Sequence, residues 1–273
     1  MKNQAPGDLR IEPRHPNVDV EPYLASDWMG GDAFRTAFFN ALSLVFPVGE
    51  RFFIDCVREF ESEVTDPPLK QAVRGFIGQE GRHAREHRAY NDRLCALRHY
   101  DLATLEAPQR RRVAWAKQNV SRYQRLAATV AYEHITALLA DELLRNDHWL
   151  TDAPAEMAAL WRWHAVEETE HKAVAFDVYR AVGGREAPRC AMLRFATFAL
   201  LKDLLASVYA MLKADGRHRD WRVWRSGFRF MLGRGGVIRS LARPWRDFRR
   251  TDFHPWQHDN RDLIARWDAW TSA

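Results

Sequence analysis

The sequence predicts an all-α protein: a bundle of four long helices followed by a helical C-terminal extension. Three observations carry this. Apolar residues recur at three- and four-residue steps through residues 32–184, and no useful stretch there alternates with the period of a strand. Capping residues and prolines mark helix starts, and glycines mark a stop. Two Glu-x-x-His motifs fall near the middle of predicted helices. The 273 residues are 47% hydrophobic, with 11 Trp, 15 Phe and 7 Tyr, which supports a large core and excludes a mostly disordered chain.

Residues 1–31 carry Pro6, Pro13, Pro16 and Pro22 with few spaced apolar residues, so an extended arm is expected. No apolar run of a secretory signal occurs in it. Asp32 begins the bundle. Phe38, Leu42, Val45, Phe46, Phe53, Ile54, Val57 and Phe60 set a helix from 33 to about 64, with Pro47 expected to kink it by removing one hydrogen bond. Asp66-Pro67-Pro68 combines an N-cap with first-turn proline and starts a second helix reaching about 97. A break at 98–108 precedes a third helix to about 144. Thr151-Asp152-Ala153-Pro154 opens a fourth, which Gly183-Gly184 closes because glycine accepts the left-handed cap.

The division expected is therefore 1–31 as the arm, 32–184 as the bundle and 185–273 as the extension. Residues 188–214 read as a fifth amphipathic helix. Its most apolar part, 192–212, is interrupted by Arg194, Lys202 and Asp203, and its longest charge-free run is nine residues, too short for a membrane span. Residues 216–250 hold eleven Arg against Asp220 and Asp247, a net of +9, whereas the whole chain is +5 and everything else sums to −4. Trp221, Trp224, Phe228, Phe230, Met231 and Trp245 are interleaved with those arginines. Solvated arginines with stems on apolar surface explain this first. Peripheral contact with an anionic membrane comes second. Nucleic acid comes last, since no recognised binding module accompanies the segment.

Cys56, Cys95 and Cys190 are odd in number and widely spaced, which argues against a disulfide framework or zinc knuckle and for a reducing, cytoplasmic setting.

The chemistry rests on Glu80-Gly-Arg-His83 and Glu168-Thr-Glu-His171. The bare pattern is weak, and Glu12-Pro-Arg-His15 in the proline-rich arm is a chance match. Position raises its weight, because the first and third helices each offer a mid-helix glutamate in apolar surroundings, Glu50 and Glu133. Residues three apart share a helix face, so carboxylate and imidazole can hold one metal or bridge to a second. One Glu from each of two helices plus Glu-x-x-His from the other two is the pattern of ferritin-like di-iron and di-manganese bundles. Four carboxylates also balance two divalent cations, while four buried glutamates without metal would be very costly. His164 lies one turn before Glu168 and is the seventh candidate ligand; His87 and Glu167 are outer-shell candidates. His134, Trp161, Trp163, Tyr132 and Phe176 are expected in the core. Gly78 and Gly81 either allow close approach, leave substrate room or are simply tolerated.

The run from Trp161 through His164, Glu168 and His171 to Tyr179 resembles the signature of a bacterial family labelled predicted metal-dependent hydrolases. Phe46-Pro-Val-Gly-Glu50, Gln79-Glu80-Gly-Arg-His83-Ala-Arg-Glu-His87 and Phe253-His254-Pro255-Trp256 resemble it too, over residues 30–270. The ligand order is also similar to that of ferritin-like di-iron arylamine N-oxygenases. That resemblance implies Glu50, Glu80, His83, Glu133, His164, Glu168 and His171 as ligands of two metals. Iron is the first choice, with manganese or a mixed pair also suited. The activity then expected is oxidation of a small organic substrate with O2 and an electron donor. Dinuclear hydrolysis is the alternative, and a non-catalytic metal-binding or membrane-associated scaffold the second alternative.

Overall fold

The computed structural model describes residues 5–7 and 9–271, with side chains as far as Trp267. Among these residues the chain is all-α. The helices run α1 (Glu21–Leu24), α2 (Ala33–Arg58), α3 (Pro67–Arg98), α4 (Leu102–Asn119), α5 (Arg122–Arg145), α6 (Ala155–His171), α7 (Val174–Ala181), α8 (Glu186–Ala214), α9 (Trp221–Leu232), α10 (Val237–Asp247) and α11 (Arg261–Thr271). Helices α2, α3, α5 and the successive α6 and α7 pack together as the central bundle. Outside it, α8 lies along α2 and α5, α4 rests on α2 and α8, and α9, α10 and α11 cover α2, α5 and α6.

Several boundaries differ from the sequence expectation for local reasons. The third long helix is two. Asp101 accepts from the Thr104 N–H (3.2 Å) and starts α4, so Pro108 lies inside a helix instead of ending a break. Ser121 accepts from the Gln124 N–H (3.3 Å) and starts α5 anew. Asp152 does not cap α6; it pairs with Arg35 at 2.8 Å, and Pro154 takes the N-cap position. The fourth helix breaks at Lys172–Ala173, directly after His171. Within the arm, α1 adds one helical turn. Gly183 (φ +78°) does take the left-handed conformation expected at the end of α7.

Helix α2 runs unbroken through Pro47. Proline cannot donate to the Ser43 carbonyl one turn earlier. Asn91 Nδ2 of α3 donates to it instead, at 2.9 Å. The defect in one helix thus becomes a polar tie to the next.

Two apolar clusters bracket a polar layer. One holds Phe38, Phe39, Tyr90, Trp149 and Trp161, and the other Phe53, Phe60, Phe76, Val130 and Phe176. Between them, buried on four different helices, lie the carboxylates and imidazoles singled out by their spacing.

The extension is bound to this frame by its Phe253–Trp256 segment. His254 Nε2 lies 2.9 Å from Asp177 Oδ1, and its Nδ1 accepts from the Trp256 N–H. The Lys172 ammonium sits 3.9 Å from the centre of the Trp256 ring and donates to Asn260 Oδ1 (2.5 Å) and the His258 carbonyl (2.7 Å). In residues 216–250, Trp224, Phe230 and Trp245 are partly buried against the body, and only Trp221 and Phe228 are exposed large aromatics. Among the described residues α2 and α8 are long and apolar enough to cross a membrane, where the sequence reading expected no such segment. The apolar window of α2 is 78% buried, as in a core helix, but that of α8 only 44%.

Candidate metal centre

The seven side chains come together in two adjoining groups. Glu50, His83, His164 and Glu168 each bring one donor atom within 4.8 Å of the others, and so do Glu80, Glu133 and His171. Each group could hold a metal ion. Glu168 Oε1 stands between them, 3.6 Å from both His83 Nδ1 and His171 Nε2 and 3.3 Å from His164 Nε2. His171 Nε2 is 3.1 Å from Glu80 Oε1 and 3.6 Å from Glu133 Oε2.

Both oxygens of Glu50, Glu80 and Glu133, Glu168 Oε2, His83 Nδ1, His164 Nε2 and His171 Nε2 are buried without a hydrogen-bond partner. Leaving so many polar atoms unpaired would cost on the order of 1–3 kcal/mol each. A cation is the simplest partner for converging lone pairs, and a mixed carboxylate–imidazole set suits iron, manganese or zinc.

The imidazoles are held from behind. With His164 Nε2 free of a proton, its Nδ1–H donates to His87 Nε2 (3.0 Å), and His87 Nδ1–H donates to Ser43 Oγ (2.9 Å). The Ser43 hydroxyl donates in turn to Asn91 Oδ1 (2.7 Å), and Asn91 donates to the carbonyl that Pro47 leaves open. Each proton in this line has one direction. Burial, then the neighbouring His164 and His83, lowers the His87 pKa well below its usual value, as a neutral relay requires.

His171 has a different support. Its Nδ1 lies 2.9 Å from Gln79 Oε1, Gln79 Nε2 donates to Glu170 Oε2 (2.7 Å), and Arg14 grips both oxygens of Glu170 (2.5 and 2.8 Å). His83 Nε2 lies 3.0 Å from Glu167, which also accepts from the Arg14 N–H at 2.6 Å. The arm therefore backs two imidazoles. It reaches them by crossing α3 where there are no side chains: a Cβ on Gly75 would lie 2.3 Å from the Ile11 carbonyl, and one on Gly78 2.6 Å from Pro13. A Cβ on Gly81 would only touch Ile54, at 4.0 Å, and Gly81 lines a surface hollow.

Charges are strongly coupled in this layer. Burial, then Glu80, raises the Glu50 and Glu133 pKa values well above the usual carboxylate range. Burial opposes charge on Glu168, yet the charge of His171 and the close approach of three imidazoles pull its pKa well below that range. Burial also opposes charge on His83, but Glu167 and Glu168 carry its pKa up to about 10. His171 is likewise raised, chiefly by Glu168 against its burial. His164 is lowered to about 4 by burial and by His83.

Glu50 also lines a cavity of about 430 Å³ between α2, α4, α5 and α8. Its walls are mostly apolar, including Leu42, Phe53, Val113 and Leu200, with the Arg112–Asp203 ion pair as a polar feature. Tyr132 lines this cavity, so it is a wall residue and not only core. Trp161, Trp163 and Phe176 are buried in the core. His134 is buried against Phe248 at 4.6 Å, remote in contacts from the seven. Arg14, Ser43, Gln79, Asn91 and Glu170 were not singled out by the sequence as supports. Of the two glycines singled out by the sequence, Gly78 takes the arm's close approach and Gly81 does not; the second crossing point is Gly75.

No curated protein and no solved structure matches the chain. The family described as predicted metal-dependent hydrolase matches residues 12–259, from the arm behind the imidazoles to just past the Phe253–Trp256 segment, and the chain belongs to that family.

Proposed function

We propose that the protein is a dinuclear metal enzyme that oxidises a small, largely apolar organic substrate with O2. The observation that carries this is the convergence of seven buried side chains whose inward donor atoms have no partner. Glu50, Glu80, His83, Glu133, His164, Glu168 and His171 would hold the two ions, with Glu168 positioned to serve both. A redox-active pair, iron in the first instance, would supply the electrons that reduce O2, with an external donor restoring them.

The remaining chemistry belongs to the protein. Four carboxylates neutralise two divalent ions and favour their oxidised states, whereas they weaken the acidification of a bound water. The relays through His87 and Gln79 turn the His164 and His171 rings so that Nε2 faces the centre, where metal displaces any proton it carries. The apolar cavity at Glu50 offers a substrate room next to the centre, while Phe46, stacked on His164 at 4.4 Å, helps exclude water. The family description favours a second reading, metal-dependent hydrolysis.

Full-length protein reconstituted anaerobically with Fe(II) is expected to bind about two irons per chain. Admitting O2 should then produce oxygen uptake and a visible absorbance change. Two bound metals with no response to O2 would favour hydrolysis, and no bound metal would sink both readings. Arg14→Ala is expected to weaken metal affinity about 10- to 100-fold, because it releases Glu170 and with it the hold on His171. Competition with a chromophoric chelator measures this, and unchanged affinity would remove the arm from the centre's support.

A further inference from the structure

Helix α8 is apolar enough to cross a membrane, yet it lies on the outside of the bundle and less than half of its apolar window is buried. Its outward residues follow one line. Phe195, Phe198, Lys202, Leu205, Tyr209 and Lys213 fall within an arc of about 80° and extend over about 27 Å of helix. Phe198 is 70% exposed and Leu205 51%.

Charge on this helix is sorted by side. Asp203 turns inward to Arg112, Asp215 just past the helix end pairs with Arg98, and Glu186 pairs with Arg180 and Arg189. Arg194, Lys202 and Lys213 are exposed and make no ion pair among the described residues. The outer face therefore carries aromatic and aliphatic side chains with cations and no outward acid, the composition that partitions into an anionic lipid interface.

The cavity wall includes exposed residues on and beside this stripe. Trp115 of α4, 59% exposed, and Phe195 of α8, 47% exposed, both line the cavity. We propose that the α4–α8 face seats on an anionic bilayer and that the cavity takes its substrate, an amphiphile with an apolar tail, directly from that bilayer. The substrate half of this inference rests on the cavity serving the metal centre; the surface half does not.

The test is flotation of the full-length, metal-loaded protein with phosphatidylglycerol–phosphatidylcholine vesicles and with phosphatidylcholine alone. Binding is expected to the anionic vesicles and to weaken with salt. The pair Phe198→Asp and Leu205→Asp should lower it at least about 10-fold while metal content and circular dichroism stay at the wild-type level. Trp221→Asp with Phe228→Asp on α9 should leave most of it. Vesicles with brominated acyl chains should quench tryptophan fluorescence, and Trp115→Phe should remove part of that quenching.

No binding to anionic vesicles at low salt would overturn the inference. So would binding abolished by the α9 pair but not the α8 pair, or a dimer in sedimentation that Phe198→Asp splits, since a second copy would then cover the stripe. Metal content and O2 uptake in solution are read separately. A failed oxidation reading therefore leaves the vesicle result standing, and failed vesicle binding leaves the centre untouched.

Discussion

Glu168→Ala should remove both metals from the protein at once. Its Oε1 is within 3.6 Å of His83 Nδ1, His164 Nε2 and His171 Nε2, so one side chain serves both donor groups. The loss of affinity should exceed the roughly 100-fold that bounds changes in supporting residues. The metal-free variant should also be destabilised, since removing one partner of a buried charged cluster costs about 3–5 kcal/mol. Glu167→Ala is the control. Glu167 lies on the far side of the His83 ring and accepts from Arg14, so its loss should weaken binding without abolishing it. Metal analysis by mass spectrometry of both variants decides the matter. Full two-metal occupancy in Glu168→Ala would show that the centre is elsewhere.

Removing metal from the wild-type protein should lower its melting temperature by about 10 °C, and restoring metal at 1,000 times its dissociation constant should return about 4 kcal/mol. The effect should grow with pH. In the metal-free protein His83 titrates near 10, and His171, Glu50 and Glu133 are also raised, so these groups hold protons that metal must displace. Binding therefore releases protons, and affinity falls as pH falls. For His83 the sign also works within the metal-free state: its raised pKa contributes stability below about 6.5 that is lost as pH rises through about 10. Titration calorimetry in buffers of different ionisation enthalpy, from about pH 6 to about pH 8, should report net proton release. Proton uptake, or a metal-dependent melting shift that shrinks with rising pH, would contradict this assignment of protonation states.

The helical class and the inward-facing carboxylates and imidazoles were legible in the sequence, because both follow from periodicity. A step of three or four residues puts Glu80 with His83, and His164 with Glu168 and His171, on one face whatever the rest of the chain does. Apolar residues on either side then oblige that face to turn inward, and the structure finds these side chains buried. Short-range capping was less legible. Asp66 accepts from the Leu69 N–H and starts α3 as expected, but Asp152 has Arg35 within reach and pairs with it instead of capping α6. Asp101 and Ser121 are short-range caps whose signal is weaker than the break that Pro108 suggests.

What stands behind the imidazoles, and what lies in front of them, depends on how the helices pack. Asn91 answers a carbonyl freed by a proline 44 positions away in sequence number, and Arg14 reaches Glu170 across 156 positions. No local pattern encodes such pairs, since a side-chain hydrogen bond depends on distances that exist only once the helices have packed. The same holds for the cavity at Glu50, whose walls come from α2, α4, α5 and α8. Spacing along one helix is a property of the chain, but the space between helices is a property of the fold.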